Sequence, residues 1–217
     1  TKEGYNMKTL IVSGGNVGKE ILNKTIKNNN FNNIIAVDKG LEILDECKIQ
    51  PNYIIGDFDS VNQKIISKYN EERTIKLNPE KDFTDTHMAI KLAIEKKSDY
   101  IVVLGGIGTR IDHTIANVHI LKECIENKIR CEIINEKNKI FLINKSCYID
   151  LDEKYKYISL IPLTTQVTGV TLKGFKYLLQ DATLTIGESI GVSNEQIEKR
   201  AEIKLKDGIL ICIESKD

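Results

Sequence analysis

The sequence has no tryptophan, only three prolines, and no excess of charge of either sign. Lys+Arg and Asp+Glu both number 31, so the formal net charge is zero at neutral pH. A zero net charge argues against bulk electrostatic binding to nucleic acid or to an anionic membrane. No apolar run approaches the ~18 residues that a membrane span needs. We therefore expect neither a nucleic-acid partner nor a membrane partner.

The cysteines also lack the spacing of a metal-binding motif. The five cysteines (Cys47, Cys124, Cys131, Cys147, Cys212) form no CxxC pair and no Cys/His cluster, so no zinc site is predicted. No signal-peptide pattern is present, which predicts a cytoplasmic protein with reduced thiols. The chain of 217 residues is 41% hydrophobic and 29% charged. These values are typical of a globular protein with one large domain or two small domains.

Strand-like and helix-like segments alternate through the first two thirds of the chain. "KTLIVSGG" (8–15) and "DYIVVLGG" (99–106) are typical of buried strands, and "DFTDTHMAIKLAIEKK" (82–97) is typical of an amphipathic helix. Alternation of this kind predicts a parallel sheet with helices on both faces. We expect an N-terminal, mostly parallel α/β sheet domain over residues 7–138.

From residue 139 the pattern changes to short alternating strands separated by turn residues. The predicted strands are "KIFLIN", "YKYISLIPL", "QVTGVTLKG", "FKYLL", "ATLTIG", "AEIKLKDG" and "ILICIE". The "KDG" of residues 206–208 predicts a hairpin turn between the last two strands. We expect residues 139–217 to form a smaller C-terminal all-β domain, a β-sandwich.

Polar residues recur directly after five predicted strands of the first domain. Ligands of open α/β sheets bind at the carboxyl ends of the strands, so these residues are the candidates for a site. Carboxylates follow four different strands, which predicts that they share one edge of the sheet. The candidates are Gly14, Gly15, Asp38, Asp57, Asp59, Ser60, Lys81, Asp82, Thr84, Asp85, Thr109, Arg110, Asp112 and His113.

The segment "YIIGDFDSV" (53–61) places two carboxylates around one phenylalanine at the end of the third predicted strand. In an extended segment Asp57 and Asp59 point to the same side, and Phe58 points into the core. A cation or solvent would compensate the two charges. Several carboxylates on one edge favour Mg²⁺, and Lys81 and Arg110 suit phosphate oxygens. The residues predict Mg²⁺-dependent phosphoryl or nucleotidyl transfer.

Each candidate also has a purely structural alternative. Asp82 and Asp85 could cap the following helix and provide an acidic first turn, and Asp112 could cap the next helix. Asp57 and Asp59 could form a solvated turn. His113 and Asn117 share a helical face and could either line a cleft or form a polar surface.

Three known motifs of nucleotide-binding or phosphate-transferring proteins can be compared with the sequence. "SGGNVGKE" (13–20) lacks the first glycine of both the P-loop and GxGxxG, so neither is met. "DFDSV" (57–61) fits the DxDx[TV] motif of haloacid-dehalogenase-type phosphatases, in which Asp57 would be the nucleophile. Gly56 before the aspartate, and the lack of a later GDxxxD-like motif, argue against that alternative.

Several segments, taken in order, resemble the bacterial type of the thiamine pyrophosphokinase (thiamine diphosphokinase) family. They are "GDFDSV" (56–61), "EKDFTDTHMAI" (80–90), "GGIGTRIDHTIANVHIL" (105–121) and "GVSNE" (191–195). The resemblance implies a catalytic α/β domain, a thiamine-binding β-sandwich, and a homodimer with the active site between subunits. It implies transfer of a pyrophosphoryl group from ATP to thiamine, giving thiamine diphosphate and AMP. A non-catalytic thiamine- or nucleotide-binding sensor is the remaining alternative.

The resemblance and the strand-end residues together assign roles to positions of this sequence. The catalytic candidates are Asp57, Asp59, Asp82, Asp85 and Asp112, of which the first four are also the candidate Mg²⁺ ligands. The candidates for ATP binding are Asp38, Lys81, Thr84, Thr109, Arg110, Asp112 and His113. Ser193 and Asn194 match positions that line the thiamine pocket. Lys39 stands where the family usually has glycine, which places a cation near the cleft.

Overall fold

The structure is a computed structural model that describes residues 4–59, 61–69, 74–76 and 82–217. The chain divides into two compact units, of which the first ends at Glu136 and the second spans Lys137–Asp217. Within the described ranges no helix is both long enough and apolar enough to cross a membrane.

Strands and helices alternate throughout the N-terminal unit. In chain order they are β1 (Lys8–Val12), α1 (Lys19–Lys27), β2 (Asn33–Val37), α2 (Gly40–Glu46), β3 (Tyr53–Gly56), α3 (Gln63–Ile66), β4 (Thr74–Lys76), α4 (Asp85–Glu95), β5 (Tyr100–Leu104), α5 (Ile111–Glu126) and β6 (Arg130–Ile134). The strands of this unit lie in the order β4-β3-β2-β1-β5-β6, and these neighbours pair in parallel. The predicted parallel α/β sheet is confirmed.

The central strands are buried on both faces, which explains their continuous apolar runs. All five residues of β5 are buried, as a parallel strand covered on both sides requires. Helix α4 packs on β1, β2 and β3, and its buried residues Thr86, Ala89, Ile90 and Ala93 recur at helical spacing. Buried residues of α1 and α2, such as Leu22 and Leu41, also pack with the strands, so the core is formed by apolar strand runs and the buried faces of several helices.

The strand order reverses beside β1. The chain proceeds from β1 outward through β2 and β3 to β4, and then returns to place β5 on the other side of β1. The gap between the loops after β1 and β5 is a topological switch point, where open α/β sheets bind ligands.

The C-terminal unit contains seven antiparallel strands. They are β7 (Asn138–Ile143), β8 (Cys147–Asp150), β9 (Tyr157–Pro162), β10 (Gln166–Lys173), β11 (Ala182–Thr185), β12 (Arg200–Lys204) and β13 (Leu210–Ser215). One group has the order β7-β13-β9 and the other has the order β11-β10-β12-β8. Side chains from both, including Phe141, Leu160, Val167 and Ile203, share one buried core. The predicted β-sandwich is confirmed.

Two details of the predicted sandwich are wrong. Gly208 has a φ of 99°, as expected in a turn. However, β12 pairs with β10 and β8, whereas β13 pairs with β7 and β9. The strands on either side of "KDG" therefore do not form a hairpin. "FKYLL" is not a strand: Phe175 is buried, whereas Tyr177 and Leu178 are 58% and 67% exposed. Alternation indicates which side chains face the core, but it does not select the neighbouring strand.

Candidate active site

A cleft of about 590 Å³ lies at the carboxyl edge of the parallel sheet, at the switch point between β1 and β5. Its walls come from the segments after β1, β2 and β5 and from the first turns of α4 and α5. The lining residues are Ser13, Gly14, Gly15, Asp38, Lys39, Thr84, Asp85, Thr86, Gly105, Gly106, Gly108, Thr109, Arg110, His113 and Asn117.

The loops after β1 and β5 approach each other backbone to backbone. A Cβ on Gly15 would overlap the carbonyl oxygen of Gly105, and a Cβ on Gly105 would lie 2.5 Å from the carbonyl oxygen of Ser13. Gly105 also has a φ of 73°, which favours glycine. The Ser13 amide donates to the Leu104 carbonyl at 2.8 Å, and the Ser13 and Thr86 hydroxyls are hydrogen-bonded. The glycines thus permit the close contact between the two loops, and the Ser13 hydroxyl connects the loop after β1 to α4.

Asp38 directly follows β2 and has a φ of 46°. Its amide donates to the carbonyl oxygen of Ile55 at 3.0 Å, which fixes the segment against β3. A Cβ on Gly56 would overlap the Oδ1 atom of Asp38. Glycine at the end of β3 therefore leaves room for the Asp38 carboxylate.

Residues 57–59 do not continue β3 as an extended strand, so the condition under which Asp57 and Asp59 would point to the same side is not met. β3 ends at Gly56, and Phe58 has a φ of 62°. The Oδ1 atom of Asp57 accepts a hydrogen bond from the Asp59 amide at 3.1 Å, because an aspartate side chain can bond to the backbone two residues later. Phe58 is 5% exposed, which confirms its prediction as a core anchor. Asp57 is half-buried and Asp59 is exposed.

Helix α4 begins with Thr84 as its N-cap, whose Oγ1 atom accepts from the His87 amide at 3.2 Å. Asp85 is half-buried in the first turn, where a carboxylate interacts favourably with the helix dipole. Asp82 is exposed and precedes the cap, so the alternative in which Asp82 caps the helix is wrong. Thr84 and Asp85 line the cleft.

The start of α5 carries an ion pair. The Arg110 Nε atom lies 3.2 Å from Oδ1 of Asp112, and its Nη2 atom lies 2.5 Å from Oδ2. This hydrogen bonding lowers the pKa of the Asp112 carboxyl, so the pair is charged at neutral pH. Both side chains are exposed, so the pair orients the guanidinium more than it stabilises the fold. Asn117 is buried, and its Nδ2 atom donates to the Gly106 carbonyl at 2.8 Å, which holds the loop after β5.

Ser193 and Asn194 lie in the C-terminal unit, between β11 and β12. Ser193 is exposed with a φ of 59°, and its amide donates to Ser159 Oγ at 3.0 Å. The Oδ1 atom of the buried Asn194 accepts from the amides of Tyr177 (3.0 Å) and Glu195 (2.9 Å), and its Nδ2 atom donates to the Tyr177 carbonyl at 2.7 Å. These bonds leave one Nδ2 hydrogen of Asn194 for a ligand.

The cleft brings together eight of the strand-end candidates: Gly14, Gly15, Asp38, Thr84, Asp85, Thr109, Arg110 and His113. Four others lie in adjoining segments outside the lining: Asp57, Asp59, Asp82 and Asp112. Ser60 and Lys81 lie outside the described residues. Sequence reasoning missed Ser13 and Thr86, because neutral hydroxyls add nothing to a pattern of charges. The position of Ser13 directly after β1 was the only available signal.

No three or more His, Cys, Asp or Glu side chains converge to hold a metal ion within residues 4–59, 61–69, 74–76 and 82–217. Mg²⁺ commonly binds through one or two carboxylates and completes its coordination with water and substrate phosphates. The two carboxylates of the cleft, Asp38 and Asp85, provide oxygen donors that fit this mode. Ligation of Mg²⁺ by Asp57, Asp59, Asp82 and Asp85 stays a prediction.

A parallel α/β unit with a polar cleft at its switch point, followed by a β-sandwich, defines a two-unit protein of the ligand-binding α/β class. The family model for "Thiamin pyrophosphokinase, catalytic domain" matches residues 24–133, and the model for "Thiamin pyrophosphokinase, vitamin B1 binding domain" matches residues 146–210. The chain belongs to the thiamine pyrophosphokinase family and is an enzyme. The resemblance inferred from the motifs is confirmed.

The similarity to known relatives extends through nearly the whole chain. Thiamine pyrophosphokinase of Bacillus subtilis (strain 168) is 34% identical over 219 residues, covering 97% of this chain and 100% of the relative. The crystal structure of the Bacillus subtilis protein has a TM-score of 0.88 at 33% identity, with 97% of this chain and 99% of that chain covered. The Geobacillus thermodenitrificans structure has a TM-score of 0.84 at 27% identity, with coverages of 97% and 98%.

Proposed function

We propose that the enzyme transfers the pyrophosphoryl group of ATP to the hydroxyl of thiamine, forming thiamine diphosphate and AMP, and that it requires Mg²⁺. The observation that carries this proposal is the composition of the switch-point cleft, which combines Asp38 and Asp85 with the guanidinium of Arg110. A volume of about 590 Å³ is within the range of small-molecule sites. Carboxylates for a hard cation and an arginine for phosphate oxygens suit a metal-bound triphosphate.

In the proposed reaction the thiamine hydroxyl oxygen forms a bond to the β-phosphorus of ATP. The bond from that phosphorus to the oxygen bridging to the α-phosphorus breaks, AMP leaves with the bridging oxygen, and the hydroxyl proton is released. Such chemistry depends mainly on positioning and charge neutralisation. Mg²⁺ would supply part of that neutralisation. We assign its ligation to Asp85 of the cleft and to Asp57, Asp59 and Asp82 of the adjoining segments, with Asp38 as a further oxygen donor in the cleft.

We assign ATP binding to the segments that surround the cleft. The planar guanidinium of Arg110 can donate two parallel hydrogen bonds to a phosphate, and Asp112 orients it. Asp38, Thr84, Thr109 and His113 line the same cleft. We keep Lys81 as a further phosphate-binding candidate.

We assign thiamine binding to the C-terminal unit, through Ser193 and the remaining Nδ2 hydrogen of Asn194. The match of residues 146–210 to a vitamin B1 binding domain supports this assignment.

We also propose a homodimer with the active site between subunits. Analytical ultracentrifugation should give twice the chain mass of 24.6 kDa, and a species of 24.6 kDa at micromolar concentration contradicts the dimer. The five cysteines are free thiols, which supports a reducing, cytoplasmic location.

The decisive assay incubates the purified protein with ATP, Mg²⁺ and thiamine, and quantifies products by chromatography. We expect AMP and thiamine diphosphate in equal amounts, and no product without thiamine. Release of inorganic phosphate without a second substrate, together with a phosphorylated Asp57, supports the phosphatase alternative instead. Saturable binding of both ligands without turnover supports a sensor.

A further inference from the structure

Lys39 occupies a position shared by two neighbouring cavities. It follows Asp38 at the end of β2 and is the residue that precedes α2. It lines the switch-point cleft of about 590 Å³ and also a second cavity of about 530 Å³. Gly14 and Gly15 line both cavities too. A Cβ on Gly14 would lie 3.7 Å from the Lys39 amide nitrogen, so the backbone of Gly14, which has no side chain, lies beside Lys39.

Within the part of the chain that the structure describes, no group engages the ammonium of Lys39. Its side chain is exposed and makes no ion pair or hydrogen bond with any described residue. Each of the three carboxylates that line the second cavity interacts with a residue other than Lys39. Glu42 accepts a hydrogen bond from the Asn62 amide at 3.0 Å. Asp45 pairs with Lys68 at 2.7 Å, and Glu46 pairs with Lys19 at 2.6 Å. By contrast, Arg110, which also lines the cleft, is held by Asp112.

We propose that Lys39 binds the triphosphate of ATP, as a second cationic contact supplied from a different loop than Arg110. An ammonium has three donors on a flexible stem, so it can follow a phosphate oxygen that a fixed guanidinium cannot reach. The inference rests on the proposed function of the cleft and deepens it by assigning the phosphates, rather than the nucleoside, to the side of Lys39.

The test measures equilibrium binding of ATP with Mg²⁺, and separately of AMP, by isothermal titration calorimetry. The variants are Lys39→Met, the charge-conserving Lys39→Arg, and the control Lys122→Met. Lys122 is an exposed lysine that is paired with Glu126, and neither residue lines either cavity. Circular dichroism and melting temperature establish that each variant is folded.

We expect Lys39→Met to weaken ATP binding at least about tenfold, as loss of a charge-assisted hydrogen bond does, and to change AMP binding less than twofold. Lys39→Arg should retain ATP binding within about threefold, and Lys122→Met should match the wild type. Unchanged ATP binding in Lys39→Met, or equal losses for ATP and AMP, overturns the Lys39 assignment while wild-type turnover stands. A wild-type protein that binds no ATP overturns both the assignment and the proposed function.

Discussion

The Nε2 atom of His87 lies 2.7 Å from Oε2 of Glu123, and this contact joins α4 to α5. The Lys91 ammonium lies 3.0 Å from the other oxygen of Glu123. The ring of Phe83 contacts His87 edge-on at 4.7 Å and lies under the Lys91 ammonium at 4.8 Å. Glu123 therefore anchors the segment that carries Asp82, Thr84 and Asp85.

Replacing Glu123 with glutamine should lower the free energy of unfolding by about 1–2 kcal/mol at pH 7, because a partly buried carboxylate loses two charge-assisted hydrogen bonds. Burial raises the pKa of the Glu123 carboxyl, but the hydrogen bonds from His87 and Lys91 outweigh it, so the pKa is lowered on folding. A lowered pKa contributes stability above the unfolded pKa, and this contribution is lost as the pH falls through the folded pKa. The wild-type advantage should therefore begin to shrink as the pH falls through the unfolded pKa of about 4.3, and it should be lost once the pH is below the lowered folded pKa.

The matched control for Glu123 is Glu126→Gln on the same helix. Glu126 forms an exposed i,i+4 pair with Lys122, and such pairs contribute only about 0.3–0.5 kcal/mol. Urea unfolding from pH 3 to pH 8 separates the two variants. Equal destabilisation by both, or an effect of Glu123→Gln that does not decrease as the pH is lowered from 8 to 3, contradicts the anchoring role.

Gly15→Ala should destabilise the protein by about 2–4 kcal/mol, because the new methyl group would overlap the Gly105 backbone carbonyl, which cannot move independently of β5. The control is Gly108→Ala, where an added Cβ meets nothing within 4 Å. Its melting temperature should match the wild type. A Gly15→Ala protein as stable as Gly108→Ala would show that the loops after β1 and β5 are not in close contact.

Asn194→Ala should destabilise the C-terminal unit by about 2–4 kcal/mol, because it leaves two backbone amides and one carbonyl near Tyr177 without their partner. Ser193→Ala should change stability by less than about 0.5 kcal/mol, since the Ser193 contact with Ser159 is made by the backbone amide. If Ser193 contacts thiamine, its variant should raise the KM for thiamine and leave the KM for ATP unchanged. Changes in both constants contradict that role.

Asp59→Asn should reduce kcat about 10²-fold without changing the melting temperature, because Asp59 is exposed and assigned to Mg²⁺ ligation. Raising the Mg²⁺ concentration should restore part of the rate. Asp150→Asn, an exposed aspartate on β8, is the control and should have wild-type kcat. Turnover of Asp59→Asn within a few-fold of the wild type would refute the metal assignment.

The parallel sheet and the strand-end position of the cleft were predictable from sequence because both depend on local patterns. Continuous apolar runs such as β5 identify strands buried on both faces, and polar residues after strands meet at one edge of a parallel sheet. Asp38 and Asp85 were found in this way, and both line the cleft.

Other features of the fold and the site were not predictable from sequence patterns. The turn at Phe58 depends on a left-handed backbone conformation that a sequence pattern of aspartates does not specify. The partners of β12 and β13 depend on the packing of the whole sandwich rather than on the turn between them. β8, with only Ile149 buried, is too short and too polar to show a clear alternation. The Ser13–Thr86 hydrogen bond joins residues far apart in sequence.

The most direct test of the central claim follows the fate of each phosphate of ATP in a single turnover with thiamine and Mg²⁺. ATP labelled separately at the α-, β- and γ-phosphorus distinguishes transfer of a pyrophosphoryl group from transfer of one phosphoryl group. We expect the β and γ labels together in thiamine diphosphate and the α label in AMP. Appearance of the γ label as inorganic phosphate, or of the α and β labels as ADP, would contradict this expectation.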